Sequence, residues 1–403
     1  MTRIAFDLGT TTLAGRLFDS TGEILAEAQT PNPQVEAGAD VLARLQTAHQ
    51  GEGDRLQALL VDGLRQLVDA LCGAAHSEVV AVVAAANPAI SCLLQNLPVE
   101  SLLFPPHKPP YKELTQIPPA ELDLGLNCPL TLFPLVSGFV GGDLIACLLA
   151  LDAPEPGTLL IDVGTNAELA LYDGVRWWVS SAAAGPAFEG GNISCGMLLA
   201  DGAVTHVGID GDRLQLSVVG DTAPKGLCGS GLAALIACGR EGGLIDAAGR
   251  ILAPDEVETN LGRYLLRQDK AWIIRFYRSA VSELALTQQD VRHFQLAKGA
   301  VLAGVELLLE RGGFTVENLS KVILTGALGQ SLPLPVLKSV ALLPEAMLDK
   351  TSFVANGVLA GLESYLDGAD SQRRLESLLG KIQPFPLSGT PAFEKLFLAS
   401  LEF

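Results

Sequence analysis

The chain has 403 residues, of which 49% are hydrophobic and 18% charged, so it is long enough to build two globular domains with their own cores. Its formal net charge of -18 argues against a nucleic-acid partner, because phosphate backbones are bound by clustered Lys and Arg. The N-terminus has no export signal, and no apolar stretch has the length of a membrane span, so we expect a cytoplasmic protein without a membrane partner. Seven scattered cysteines without a Cys-x-x-Cys pair favour reduced, buried thiols.

Two similar segments, one in each half of the chain, predict phosphate-binding loops. Phe6 to Thr12 and Ile161 to Asn166 each join an apolar run to a second apolar run through Asp-x-Gly-Thr. Glycine lets the backbone approach an anion, the N–H groups and Thr hydroxyls can donate to phosphate oxygens, and the Asp can hold a hydrated divalent cation. One copy alone would more often be an ordinary hairpin turn. Two copies facing across a cleft would hold a nucleoside triphosphate from both sides.

The first half reads as an α/β domain that ends at a linker of Pro, Gly and acidic residues, Asp152 to Gly157. The hydrophobic spacing predicts the following elements in order: helices at 38–45 and 55–71, a buried strand at 78–84, a helix at 89–95, a Pro-rich excursion over 103–134, and a helix at 144–151. We therefore predict one domain over residues 1–153 and a second over 157–403.

The second half repeats this pattern around an insertion at about 182–295. A late strand, Lys321 to Leu324, runs into Gly326-Ala327-Leu328-Gly329, and Phe353 to Gly357 precedes a helix, as in the first half. Within the insertion, a Gly-rich segment opens into a helix at Leu232 to Gly239, whose N-terminus would attract an anion. A long helix is predicted from Leu296 to Glu310, followed by a tail with a short strand and a terminal helix.

The order of these loops and helices resembles the superfamily of acetate and sugar kinases, heat-shock chaperone ATPases and actin. That resemblance implies an α/β fold of two ribonuclease-H-like domains, the actin-like ATPase fold, with nucleotide in the cleft between them. More narrowly, the residue patterns of several motifs resemble those of the ATP-dependent reductive activators of corrinoid proteins. These motifs are Asp-Leu-Gly-Thr-Thr-Thr at 7–12, Asn-Pro-Gln at 32–34, Gly-Gly-Asp at 141–143, Asp-Val-Gly-Thr-Asn at 162–166, Gly-Pro-Ala-Phe-Glu-Gly at 185–190, Cys-Gly-Ser-Gly at 228–231 and Gln-Leu-Ala-Lys at 295–298.

The resemblance implies that ATP binding and hydrolysis, with Mg²⁺, drive reduction of an inactive cob(II) corrinoid protein to cob(I). Members of the family usually carry an N-terminal ferredoxin-like domain with an iron-sulfur cluster, whereas this chain starts at the first phosphate loop. We therefore expect either a truncated chain or a separate low-potential electron donor. A homodimer is possible.

The site residues implied by the resemblance fall into five groups. Gly9, Thr10, Thr11, Thr12, Gly164, Thr165 and Asn166 would hold the β- and γ-phosphates; Asp7 and Asp162 would orient the waters around Mg²⁺; Gly326, Ala327 and Gly329 would receive the adenosine; and Glu189 and Ser230 would reach the terminal phosphate. Asp143 would position or deprotonate the attacking water. A helix N-cap is an equally good interpretation of Asp143, because Gly-Gly-Asp precedes an apolar helix.

Two alternative functions remain open from the sequence. A small-molecule kinase of the same fold would need a substrate pocket with a base near the γ-phosphate, which the insertion has room to supply. A nucleotide-gated binding protein would bind ATP tightly and hydrolyse it negligibly.

Overall fold

The structure is a computed structural model, and it describes residues 1–73, 78–220, 222–326, 332–368, 370–387 and 389–403. The chain forms two compact units that are discontinuous in sequence. The first comprises Met1–Glu155, Gly174–Ser180 and Ala355–Phe385, and the second comprises Pro156–Asp173, Ser181–Val354 and Pro386–Phe403. The continuous domains at 1–153 and 157–403 stay a prediction.

The strands and helices are numbered in chain order. The strands are β1 (Thr2–Leu8), β2 (Thr12–Phe18), β3 (Ile24–Pro31), β4 (Val79–Ala86), β5 (Thr115–Ile117), β6 (Leu130–Leu132), β7 (Thr158–Val163), β8 (Ala167–Tyr172), β9 (Trp177–Ala182), β10 (Ala203–Asp210), β11 (Arg213–Val218), β12 (Gly226–Leu227), β13 (Leu265–Gln268), β14 (Ala271–Arg278), β15 (Glu283–Leu286), β16 (Lys321–Gly326), β17 (Thr351–Phe353) and β18 (Ile382–Pro384). The helices are α1 (Val41–Thr47), α2 (Gly53–Cys72), α3 (Pro88–Leu94), α4 (Glu100–Leu103), α5 (Pro119–Leu122), α6 (Gly142–Leu149), α7 (Gly229–Glu241), α8 (Gln288–Gly312), α9 (Leu334–Ser339), α10 (Glu345–Leu348), α11 (Gly357–Asp367), α12 (Ser371–Leu379) and α13 (Pro391–Ala399).

The first unit is built on a sheet with the order β3-β2-β1-β4-β6-β5. Strands β1 and β2 form an antiparallel hairpin, and β1, β4 and β6 run parallel. Helix α2 packs its apolar stripe, which includes Leu60, Leu64 and Leu67, into the same core as Phe6 and Leu13. Apart from partly exposed positions near its start, β4 is buried, as its continuous apolar run predicts.

The second unit repeats this arrangement with neighbouring strands in the order β17-β16-β7-β8. Strands β7 and β8 form an antiparallel hairpin, and β7, β16 and β17 run parallel. Every residue of β7 is buried, so both faces of this central strand are covered. The duplicated hairpin-and-parallel-strand pattern confirms the two ribonuclease-H-like sheets that the family resemblance implies.

The predicted insertion folds into two three-stranded sheets, β11-β10-β12 and β13-β14-β15, together with α7. The predicted start of the next long helix at Leu296 is wrong, because α8 begins at Gln288. A capping box sets that start: the Thr287 side chain accepts from the Asp290 N–H, and the Asp290 carboxylate accepts from the Thr287 N–H. The predicted boundary of the insertion at Gln295 therefore falls inside α8.

Candidate functional site: two phosphate loops

The first phosphate loop is a tight turn between β1 and β2. The Gly9 N–H donates to the Thr12 carbonyl at 3.0 Å, and Asp7 is the last residue but one of β1. A Cβ on Gly9 would lie 2.6 Å from the Thr12 oxygen, so only glycine fits this position without a shift of the loop. The turn places Thr10, Thr11 and Thr12 directly after the end of a strand, as the sequence predicts.

Two asparagines that are absent from the predicted site residues fix this loop. Asn32 is fully buried; its Nδ2 donates to the Gly9 carbonyl at 2.9 Å, and its backbone N–H donates to the Thr11 carbonyl at 2.8 Å. Asn87 caps α3 through Oδ1 and donates from Nδ2 to the Thr10 hydroxyl oxygen at 3.1 Å. Because the Thr10 hydroxyl oxygen accepts a hydrogen bond from Asn87, the Thr10 hydroxyl can donate its own proton to another acceptor, such as a phosphate oxygen.

The N-cap interpretation of Asp143 is wrong. Helix α6 begins at Gly142, and its N-cap residue is Gly141, a glycine that has no side chain to cap the helix. Asp143 lies in the first turn, where the helix dipole favours an acidic residue, and its Oδ1 accepts from the Leu144 N–H at 2.8 Å. A Cβ on Gly141 would overlap the Ala86 carbonyl oxygen at the end of β4, which explains why glycine occupies the cap position. The catalytic role of Asp143 stays a prediction.

The start of α6 and the first phosphate loop meet the same short segment of the first unit. Gly141 lies against Ala86 and Asn87, and the Asn87 side chain contacts Thr10. Asp143, two residues after Gly141, is therefore held at the edge of the sheet where β1 and β4 end. This is the edge at which ligands of parallel α/β sheets bind, because the loops after the carboxyl ends of the strands converge there.

The second phosphate loop is held by a carboxylate. Thr165 donates from its backbone N–H to Glu189 Oε1 at 3.0 Å and from its hydroxyl to Glu189 Oε2 at 2.9 Å. The Thr165 carbonyl accepts from the Gly185 N–H at 2.8 Å, and the Gly164 N–H donates to the Asn166 carbonyl at 3.0 Å. The segment from Gly185 to Glu189 therefore satisfies the backbone and side-chain polar groups of Thr165. Sequence reasoning placed Glu189 and Thr165 in one site but did not foresee this pairing.

The Asp162 carboxylate lies beside the end of β16. Gly326 pairs with Val163 in the parallel register and has a positive φ of 84°. A Cβ on Gly326 would overlap both Asp162 Oδ1 and the Val163 carbonyl, so glycine is required by conformation and by space. The structure thus brings together Asp162 and Gly326, which the sequence assigns to magnesium and adenosine. Ala327 and Gly329 lie outside the described residues.

Ser230 lies at the start of α7, next to the turn that carries Glu189. A Cβ on Gly229 would overlap the Phe188 carbonyl oxygen, so the 3-10 turn Pro186–Glu189 and the first turn of α7 are in close contact. The Ser230 hydroxyl is 3.2 Å from the Cys228 sulfur. Contact of Glu189 or Ser230 with a phosphate stays a prediction.

The described residues contain no group of three or more His, Cys, Asp or Glu side chains arranged to hold a metal ion. A divalent cation at Asp7 or Asp162 would therefore take most of its ligands from water and from a bound phosphate, which is the usual coordination of Mg²⁺ at nucleotide sites. Among the described residues, no helix is both long and apolar enough to cross a membrane.

The duplicated sheet, with an Asp-x-Gly-Thr hairpin in each copy, places the protein in the class of actin-like ATPase folds. Residues 157–403 match the family described as the C-terminal domain of RACo, the ASKHA domain, and residues 2–154 match the RACo middle region. The chain belongs to this family, which confirms the expected fold.

Three relatives carry related names. The chain is 30% identical over 377 residues to the corrinoid activation enzyme RamQ of Eubacterium limosum, covering 90% of this chain and 64% of RamQ. It is 27% identical over 368 residues to the [Co(II) methylated amine-specific corrinoid protein] reductase of Methanosarcina barkeri, covering 81% of this chain and 63% of that protein. The solved structure of a reductive activator for corrinoid, iron-sulfur protein superposes on all of this chain and 66% of its own, with a TM-score of 0.92 and 26% identity. The chain thus spans slightly less than two thirds of each of these proteins.

Proposed function

We propose that the chain binds and hydrolyses ATP with Mg²⁺ and uses this cycle to drive reduction of an inactive cob(II) corrinoid protein to cob(I). The observation that carries the proposal is the match of the whole chain to the reductive activator, at a TM-score of 0.92. The electron comes from a low-potential donor. Reduction of cob(II) is difficult and needs an input of energy. ATP binding and hydrolysis supply it by shifting a conformational equilibrium, and no phosphorylated product is formed.

The residues of the two loops fit the chemistry of a magnesium nucleotide. Backbone N–H groups and Thr hydroxyls follow the ends of β1 and β7, and one carboxylate stands in each of these strands, Asp7 and Asp162. We assign Thr10, Thr11, Thr12, Thr165 and Asn166 to the phosphates, and the two Asp side chains to waters of the Mg²⁺ shell. The cation would supply charge neutralisation at the transferred phosphoryl group.

Asp143 is assigned to the attacking water. Its carboxylate is half-buried in the first turn of α6, and Asp143 is not the N-cap residue of that helix. A carboxylate there orients a water through a hydrogen bond and accepts its proton as the phosphoryl bond breaks.

The test is magnesium-dependent ATP hydrolysis by the intact chain and by Asp7→Ala and Asp143→Ala, with Asp255→Ala as a control. Asp255 is exposed in the second unit and lies in neither loop. Removal of either assigned carboxylate is expected to lower the turnover rate by a factor of about 100 or more, and the control is expected to hydrolyse ATP at the normal rate. Normal turnover in Asp7→Ala would contradict the phosphate-loop assignment. A phosphorylated sugar or acid as product would favour a kinase instead.

A further inference from the structure

The Glu189 carboxylate takes the donors that Thr165 is expected to offer to phosphate. Its two oxygens accept separately, one from the backbone N–H at 3.0 Å and the other from the hydroxyl at 2.9 Å. Two oxygens of one phosphoryl group would be bound by the same pair of donors in the same way, because carboxylate and phosphate present similar oxygen pairs to hydrogen-bond donors. The backbone and hydroxyl donors of Thr165 are thus already taken by a carboxylate of the chain itself.

In place of the phosphate contact that the resemblance implies for Glu189, we propose that Glu189 competes with the nucleotide phosphates for Thr165 and must leave Thr165 when the polyphosphate binds. An N–H group that donates a good hydrogen bond to Glu189 has no second proton for a phosphate oxygen. A carboxylate and a polyphosphate held on the same donors would also repel each other strongly at such short range. This inference rests on the proposed function, since it names how the ATP site is regulated.

The backbone around Glu189 is built for such an exchange. Glu189 ends the 3-10 turn Pro186–Glu189, and the glycines on either side, Gly185 and Gly190, both have a φ of 79°. Among the described residues, no atom beyond the chain neighbours of Gly185 lies within 4 Å of a Cβ built there, whereas a Cβ on Gly190 would lie 2.7 Å from the Met197 carbonyl. The turn is therefore closely packed at Gly190, whereas at Gly185 it has room beside the backbone and is held to Thr165 by one hydrogen bond, so a change of backbone angles there would have to break only that bond.

Displacement of Glu189 also changes the packing of residues in the insertion. The Phe188 carbonyl packs against Gly229 at the start of α7, and Gly231 of the same turn packs against the Val204 carbonyl of β10. The Phe188 ring stands edge-on to Phe294 of α8, with 5.5 Å between the ring centroids. A turn that shifts when phosphate replaces Glu189 therefore changes the packing at the start of α7, which links nucleotide occupancy to the β11-β10-β12 sheet.

The test is calorimetric titration of ATP, ADP and AMP into the wild-type chain, Glu189→Gln and the control Asp255→Asn. Both substitutions remove one negative charge from the second unit, but only the first weakens the hold on Thr165. Glu189→Gln is expected to bind ATP and ADP about tenfold more tightly than the wild type, because the competing charge is gone. AMP, which has no β- or γ-phosphate, is expected to bind all three chains equally.

A double-mutant cycle with Thr165→Val locates the effect. If Glu189 competes for the Thr165 donors, the gain from Glu189→Gln shrinks when the Thr165 hydroxyl is absent. Glu189→Asp is the second variant if Glu189→Gln does not fold: its shorter carboxylate reaches one donor only, and an intermediate ATP affinity is expected. Equal or weaker ATP binding by the folded Glu189 variants, with a wild type that binds ATP, would overturn the inference alone. Absence of ATP binding in the wild type and in the variants would overturn the proposed function and the inference with it.

Discussion

Replacement of Gly326 by alanine tests how the second phosphate loop is built. Gly326 has a positive φ, and its missing Cβ leaves the space taken by Asp162 Oδ1 and the Val163 carbonyl. The left-handed conformation costs an alanine about 1 kcal/mol, and the forced shift of a carboxylate and a backbone carbonyl adds about 1–3 kcal/mol. We expect Gly326→Ala to lower the free energy of unfolding by about 2–4 kcal/mol.

Gly313→Ala is the matched control. Gly313 is the C-cap residue of α8 and has a φ of 74°, but in the part of the chain that the structure describes nothing beyond its chain neighbours lies within 4 Å of a Cβ built on it. It therefore carries the conformational cost of about 1 kcal/mol without the overlap. Urea denaturation of both variants measures the difference, and ATP hydrolysis should be lost only in Gly326→Ala because Asp162 is displaced. Equal destabilisation of the two variants would refute the packing argument at Asp162.

Three further predictions concern other parts of the molecule. Asn32→Ala should lower the free energy of unfolding by about 2–3 kcal/mol in urea denaturation, because it leaves the Gly9 carbonyl without its donor and creates a small cavity; wild-type stability would contradict this. Gly361→Ala should lower the melting temperature sharply, because a Cβ there overlaps the Ala146 carbonyl where α11 packs on α6. An unchanged melting temperature would contradict this, since it would show that the two helices move apart at little cost. Burial, and then the charge of Arg240, lower the pKa of Lys298 from 10.5 to about 8. Between these two pH values the unfolded chain therefore keeps a proton on Lys298 that the folded chain has lost, so stability rises with pH. From about pH 7.5 to 9.5, the free energy of unfolding of the wild type should rise by about 2 kcal/mol relative to that of Lys298→Met. A difference between the two chains that stays constant over this range would contradict the lowered pKa.

The polar residues of the Gln-Leu-Ala-Lys motif bind the C-terminal tail. Gln295 Nε2 donates to the Leu401 carbonyl at 2.8 Å, and Lys298 Nζ donates to the carbonyls of Ser400 and Glu402. The Lys298 ammonium also lies over the Phe403 ring, 5.3 Å from its centroid. The motif therefore holds the end of the tail against α8, which explains why polar residues are buried on this helix.

The sequence predicts the local parts of the site well and the long-range parts poorly. The two hairpins follow from a repeated pattern of apolar runs around Asp-x-Gly-Thr, and each stands where the pattern puts it. Asn32 and Asn87 were missed as site residues because their contacts with Gly9 and Thr10 lie far away along the chain. An Asn before a Pro was the available signal, since this pair often begins a helix.

Two other differences have local physical causes. The start of α8 was placed too late because the Thr287 and Asp290 pair was not recognised as a capping box. The N-cap interpretation of Asp143, which was the alternative to a catalytic role, is wrong because the close approach of Ala86 to Gly141 puts the glycine at the cap position. Side chains within one turn of a helix end compete for the same backbone groups, and packing from outside the helix decides between them.

The absorption spectrum of an oxidised corrinoid protein tests the central claim most directly. The corrinoid protein is mixed with this chain, a low-potential reductant and Mg²⁺, with and without ATP, and with Asp7→Ala in place of the wild type as a control. The account predicts that the cob(I) band grows only when ATP and the wild-type chain are both present. Formation of cob(I) at the same rate without ATP, or no cob(I) in a mixture whose ATP is being hydrolysed, would contradict it.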